Sequence, residues 1–170
     1  DSSGLTTTDF YNTFAIWITS DCIKFNANGS GIAGSIKLAK GTWNHVAIVR
    51  SSGTTSRYIN GSLDGSYTDS INYGGTYLAI GAYYSAGTAD HDGRISNFRI
   101  VKGTAVYTSS FRPPTEGLTN ITNTKILCCN KNTVTGSTVV SGTITANGDP
   151  QSSTDTPFDD PAGFVFGADG

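Results

Sequence analysis

Apolar residues alternate with polar ones in short runs along this chain, and nowhere does a helical period persist. Phe14 to Ile18 (FAIWI) reads as one strand and Cys22 to Phe25 (CIKF) as the next. Ser35 to Leu38, Thr42 to Arg50 (TWNHVAIVR) and Arg57 to Ile59 follow. Tyr77 to Ala82, Arg94 to Val101 (RISNFRIV), Lys125 to Cys129 and Gly142 to Ala146 complete the set. Thr42 to Arg50 is the strongest, because β-branched and aromatic residues suit a pleated, half-buried surface. The dipeptides Asn28-Gly29, Asn60-Gly61, Asp64-Gly65, Asp92-Gly93 and Asn147-Gly148 punctuate these runs. Asn or Asp before Gly tolerates the positive φ of tight hairpin turns. The pattern predicts an all-β, antiparallel sandwich or barrel. One helical turn is expected near residues 104–110, ending before Pro113-Pro114.

Composition narrows the class. With 170 residues the chain can bury one sizeable core. Charged residues are 14% of it and the net charge is −2, so there is no basic footprint for nucleic acid. No polybasic run and no apolar stretch of about 18 residues occurs, which argues against membrane insertion. The chain starts at Asp1 and contains no Met, and is read as a processed chain, a fragment or the ordered part of something longer. After Asn147 the character changes. Residues 149–170 read as an extended, polar tail closed by the apolar island Gly163–Gly167, and residues 1–148 as the sandwich. The three cysteines are Cys22, Cys128 and Cys129. Adjacent cysteines pair poorly because the geometry is strained. Three thiols, or a bridge from Cys22 to one of the others, both stay open.

An ordered set of motifs carries a resemblance. Gly41-Thr42-Trp43-Asn44-His45-Val46-Ala47, then Tyr58-Ile59-Asn60-Gly61, then Leu78-Ala79-Ile80-Gly81, resemble consecutive segments of laminin-G-like domains. Gly93 to Ile100 (GRISNFRI), and Ala105-Val106-Tyr107 through Phe111-Arg112-Pro113-Pro114, resemble the segments that follow. The resemblance covers residues 41–118 and implies a concanavalin A-like, two-sheet antiparallel jelly-roll sandwich. Trp17, Trp43, Tyr58 and Phe98 are its expected core rings, and the strands before residue 41 look incomplete for such a domain. Thr124 to Cys129, Ile144 to Gly148 and Pro157-Phe158 resemble segments after such domains in structural proteins of marine tailed phages. That likeness implies a virion component at the particle surface, with other virion subunits as partners, homo-oligomerisation, and adhesion to cell-surface glycans.

Candidate chemistry is sparse. Glucanases of this fold use paired carboxylates flanking the scissile bond. The chain has one Glu, Glu116, beside a Pro-Pro turn, so no enzymatic activity is expected. Gly29 to Gly34 spells G-x-G-x-x-G, but a short strand follows it where dinucleotide binding needs a helix, and it is read as a hairpin turn. His45, on the strongest strand, is expected to make a structural hydrogen bond. The remaining cluster is Asp90-His91-Asp92, in a loop that opens with Tyr83-Tyr84. Aromatic faces stack on sugars, and loop carboxylates suit Ca²⁺. Tyr83, Tyr84, Asp90, His91 and Asp92 are therefore the candidate glycan-binding residues, with Asp90 and Asp92 as the candidate Ca²⁺ ligands. A solvated turn before a strand is the alternative.

Overall fold

The computed structural model describes residues 3–7, 14–27, 30–74, 78–82 and 91–158. Among them are eleven strands and no helix. They are β1 (Ser3–Thr7), β2 (Phe14–Thr19), β3 (Cys22–Ala27), β4 (Ser30–Lys37), β5 (Val46–Ser51), β6 (Thr54–Ile59), β7 (Ser62–Thr68), β8 (Leu78–Ala79), β9 (Phe98–Val101), β10 (Thr124–Cys128) and β11 (Ser137–Val139). Every pairing is antiparallel. The all-β antiparallel class expected from the alternation is the class observed.

The chain forms two compact units. The first, residues 1–95 with 105–113, carries a five-stranded sheet, β4-β3-β2-β1-β8, and a three-stranded meander, β5-β6-β7. The second, residues 96–104 with 114–170, carries a three-stranded sheet, β11-β10-β9, around Leu127, which is fully buried.

Tight turns set the registers of the first unit. Thr19 pairs with Cys22 across Ser20 and Asp21, whose φ values are 50° and 63°. Ser52-Gly53 (φ 48° and 75°) joins β5 to β6, and Asn60-Gly61 (φ 49° and 81°) joins β6 to β7. Two successive positive φ values match the right-handed twist of a hairpin. Asn60 does more than turn. Its Oδ1 accepts the His45 N–H, its own N–H donates to the His45 carbonyl, and its amide donates to Asn44 Oδ1. Gly61 is required by space as well as by φ, since a Cβ there would sit 1.8 Å from the Phe111 carbonyl oxygen. The segment over this turn is anchored by the Phe111 N–H on the Gly61 carbonyl. Phe111 stacks on Tyr107 at 3.5 Å and meets His45 and Tyr58 edge-on. His45 is held here by its backbone hydrogen bonds to Asn60 and by edge-on ring contacts with Tyr107 and Phe111.

A second aromatic cluster joins the sheets of the first unit. Phe14 of β2 and Phe25 of β3 meet Tyr73, and Phe25 also meets Tyr67 of β7. Ile23 and Phe25 are buried on that face, as are Tyr58 and Ile59 on β6. Each such side chain contributes roughly 1.5–3 kcal/mol by leaving water. Of the four rings expected in the core, only Tyr58 is buried. Trp17 pairs across from Lys24 on the face opposite Phe25, with the Lys24 ammonium 5.2 Å from its ring centre. Trp43 and Phe98 are half-buried.

Several predicted elements differ. Residues 30–40 are not a turn and a short strand, because β4 already begins at Ser30 and so absorbs part of the glycine motif. Thr42 to His45 is loop, because the Asn44 side chain bonds the backbone of Ala39 and Thr42. Arg94 to Asn97 leaves the strand because Asn97 takes φ 54°. Residues 104–110 are not helical. Residues 142–146 form no strand, the edge of β10 being taken by β11. The missed strands are β1, β7 and β11.

Asp64-Gly65, expected to turn, lies within β7. Arg57 pairs with Gly65 while Tyr58 pairs with Leu63, so Asp64 is the extra residue of a β-bulge. The bulge aims its carboxylate at β4, where Oδ1 accepts the N–H groups of Ser35 (2.8 Å) and Ile36 (2.7 Å) and the Ser35 hydroxyl. Gly34 makes the approach possible, since a Cβ there would lie 2.0 Å from Asp64 Oδ2. Gly34→Ala is therefore expected to cost about 2–3 kcal/mol in a urea titration. Gly74→Ala, which meets nothing within 4 Å, should stay within about 0.5 kcal/mol of wild type. Equal midpoints for the two variants would refute the close-contact account.

Candidate functional site

Two carboxylates are buried in the described chain, and each has an arginine. Asp64 Oδ2 accepts Arg57 Nε at 2.8 Å, and both side chains are almost wholly removed from water. Arg57 Nη2 also donates to the carbonyls of Asp64 and Ala33. Burial would raise the Asp64 pKa, but the Arg57 hydrogen bond, the N–H groups of Ile36 and Ser35 and the Arg57 charge together hold it below the ordinary carboxylate value.

Asp69 follows β7. Its Oδ2 accepts the hydroxyls of Thr55 (2.7 Å) and Tyr73 (2.5 Å), and its Oδ1 accepts the Ile71 N–H (3.0 Å). Arg50 Nη1 lies 3.7 Å from Oδ1. Burial again opposes ionisation, and the Tyr73 and Thr55 hydroxyls, the Ile71 N–H and Arg50 outweigh it, so this carboxyl too titrates low. The Tyr73 hydroxyl is pushed up in turn by burial and by its bond to Asp69. Arg50 also donates to the Ile71 carbonyl and lies over the Tyr73 ring at 5.0 Å.

Arg50, Gly53, Asp69, Ser70, Ile71 and Asn72 line an open depression of about 370 Å³. The buried acid fixes Arg50, while exposed Ser70 and Asn72 add a hydroxyl and an amide to the rim. This is an open surface that mixes apolar area with the donors and acceptors of Arg50, Ser70 and Asn72. No motif announced it. The available signals were an arginine ending the strongest strand and an acid closing the next hairpin.

The loop singled out from the sequence is described only in part. Tyr83, Tyr84 and Asp90 lie outside the described residues. His91 is half-buried, its N–H donates to the Gly81 carbonyl at 2.7 Å, and its ring lies against Gly93. Asp92 is exposed. Among the described residues, no group of three or more His, Cys, Asp or Glu side chains is arranged to hold a metal ion. All three cysteines are free thiols. No helix is long and apolar enough to cross a membrane among the described residues.

A family model described as the concanavalin A-like lectin/glucanases superfamily (Laminin_G_3) matches residues 2–106, more than half of the chain. The chain belongs to the concanavalin A-like superfamily. Comparisons with curated proteins and with solved structures gave no match. The matched span holds β1 to β9, both arginine–carboxylate pairs and the depression. The name of the concanavalin A-like superfamily joins lectins to glucanases, so membership gives the lectin-like fold without choosing between binding and hydrolysis.

The two pairs make stability depend on pH in one direction. Both folded-state pKa values are depressed, so the stabilisation is complete above the unfolded carboxylate value near 3.8 and is lost as pH falls from there through the folded values. Thermal melts should be flat from pH 7 to about 5 and fall steeply below about 4. Asp64→Ala should cost roughly 3–5 kcal/mol at pH 7, because it leaves Arg57 buried and unpaired, and should flatten the acid-side fall. A variant that melts as wild type does at pH 7 would contradict this assignment.

Proposed function

We propose that this chain is a non-catalytic surface module of a tailed-phage virion, contributing to a fibre, an appendage or a capsid decoration, with a lectin-like fold that serves adhesion. The observation that carries the non-catalytic part is the state of the buried acids. Asp64 is saturated by two backbone N–H groups, a hydroxyl and a guanidinium, and Asp69 by two hydroxyls, a backbone N–H and a guanidinium. A glycosidase needs one carboxyl kept protonated as an acid and a second free to attack or to activate water. Carboxylates held ionised by donors on every side serve structure instead. The virion context is supported by the likeness of residues 124–158 to segments of phage structural proteins.

The partners in this reading are other virion subunits and further copies of the chain, met through residues 149–170. In the tail, Gln151 Nε2 donates to the Asp149 carbonyl, the Asp155 N–H to Ser153 Oγ and the Phe158 N–H to Thr156 Oγ1.

A second reading is favoured by the open depression beside Arg50. Here the chain is a carbohydrate-binding module gripping surface glycans there, or at the Tyr83, Tyr84, Asp90, His91 and Asp92 loop with Ca²⁺. The two readings are compatible and separate by experiment. A chain ending at residue 148 should stay folded by circular dichroism yet fail to enter particles, and normal incorporation would sink the structural reading. On a glycan array, binding lost on chelation and in Tyr84→Ala would place the site in the loop. Binding that resists chelation and drops about tenfold or more in Arg50→Ala would place it in the depression. A folded chain that binds no glycan leaves the scaffold role alone.

A further inference from the structure

Strand β10 ends at Cys128, and Cys129 follows it. In an extended strand, neighbouring side chains point to opposite faces. Here they do not. The register of β10 against β11 shifts between Leu127 and Cys128, and Cys129 takes φ 56°. The two Sγ atoms come within 3.9 Å of each other. A non-glycine residue in the left-handed region costs about 1–2 kcal/mol. The Asn97 N–H helps to hold it there by donating to the Cys129 carbonyl at 2.9 Å.

The two thiols are not equivalent. Cys128 is 2% exposed, whereas Cys129 is half-buried and keeps part of its surface in solvent. We propose that Cys128 and Cys129 form a redox-active vicinal dithiol, in which Cys129 attacks small-molecule disulfides and Cys128 resolves the adduct to a reversible Cys128–Cys129 disulfide. The thiol contact supports this division of labour. It lowers the Cys129 pKa against the effect of burial and raises that of Cys128, with burial adding to the rise. A thiol with a lowered pKa beside a second, resolving thiol is the arrangement of redox-sensing cysteines.

The chemistry balances. The Cys129 thiolate attacks one sulfur of R–S–S–R, displacing a first thiolate and forming a mixed disulfide. Cys128 gives its proton to solvent and attacks Cys129 Sγ, displacing the second thiolate. One S–S bond is consumed and one is made. The protein loses two electrons and two protons, and the small disulfide becomes two thiols. Adjacent Cα atoms lie about 3.8 Å apart across a trans peptide, shorter than the roughly 4.4 Å minimum usual for disulfides. The product is therefore strained, and strained disulfides are the readily reduced, switchable ones.

Cys22, half-buried and in the other compact unit, provides an internal reference. The reduced full-length chain is treated with oxidised glutathione and followed by intact mass and peptide mapping. The expected product is lighter by two hydrogens, with the loss mapped to Cys128 and Cys129 and reversed by dithiothreitol. Cys129 should react on the order of tenfold faster than Cys22. Cys128→Ser should stall as a glutathione adduct on Cys129, and Cys129→Ser should leave Cys128 reduced. A lasting adduct on wild-type Cys129, modification of Cys22 ahead of Cys129, or no reaction at the pair would each overturn the proposal. Should Cys128→Ser not fold, the wild-type map decides alone. None of these outcomes depends on the virion reading.

Discussion

A carboxylate removed from water must be given positive charge and hydrogen-bond donors, or it will be protonated or drawn back to the surface. Asp64 meets that demand between the two sheets of the first unit, and much of the local architecture follows. Arg57 has to be buried beside it, and β7 has to bulge so that the side chain points toward β4. Residue 34 has to be a glycine so that the oxygen can reach the backbone. The two N–H groups it takes, from Ser35 and Ile36, belong to the outermost strand of the five-stranded sheet. A side chain thus closes part of an edge that would otherwise offer itself to another strand.

Asp69 repeats the device at the other end of β7 with a different result. Its donors are two hydroxyls and a backbone N–H, and its arginine remains partly in solvent. The first acid is wholly a fastener. The second fastens and also presents Arg50 on a fixed base, over the Tyr73 ring. Rigid polar groups around a shallow depression suit a binding surface, because ordering them costs little when a ligand arrives. This is how a fold with no free buried acid among its described residues still offers chemistry to the outside.

Much of this was legible in the sequence, for stated reasons. Period-two alternation located β2, β3, β6 and β10, and Asn60-Gly61 turns as its chemistry demands. The strands that escaped notice are the polar ones. Ser62–Thr68 and Ser137–Val139 owe their state to pairing with a neighbour, which single-sequence propensity does not carry. Asp64-Gly65 misled because the same pair of residues that turns a hairpin also tolerates a bulge, and only the register against β6 tells the two apart. Trp17 misled because an aromatic on an alternating strand is equally at home on the outer face under a lysine stem. Of the candidate site, His91 and Asp92 fall in the described chain, and Tyr83, Tyr84 and Asp90 do not. The depression beside Arg50 was invisible because its parts come from two separate segments, residues 50–53 and 69–72.

The five-stranded sheet has one consequence for the order in which the molecule is assembled. β5, β6 and β7 join through two-residue turns, so their pairing closes loops of a few residues and can form within microseconds. The β1–β8 pair, Thr6 with Ala79 and Thr7 with Leu78, instead closes a loop of some 70 residues at a substantial entropic cost. The meander thus forms ahead of the outer pairing, and β1, paired with β2 on one side, keeps its other edge open in the interval. Folding of the first unit therefore proceeds from its local hairpins outward, and its slowest step is the return of the chain to its own beginning.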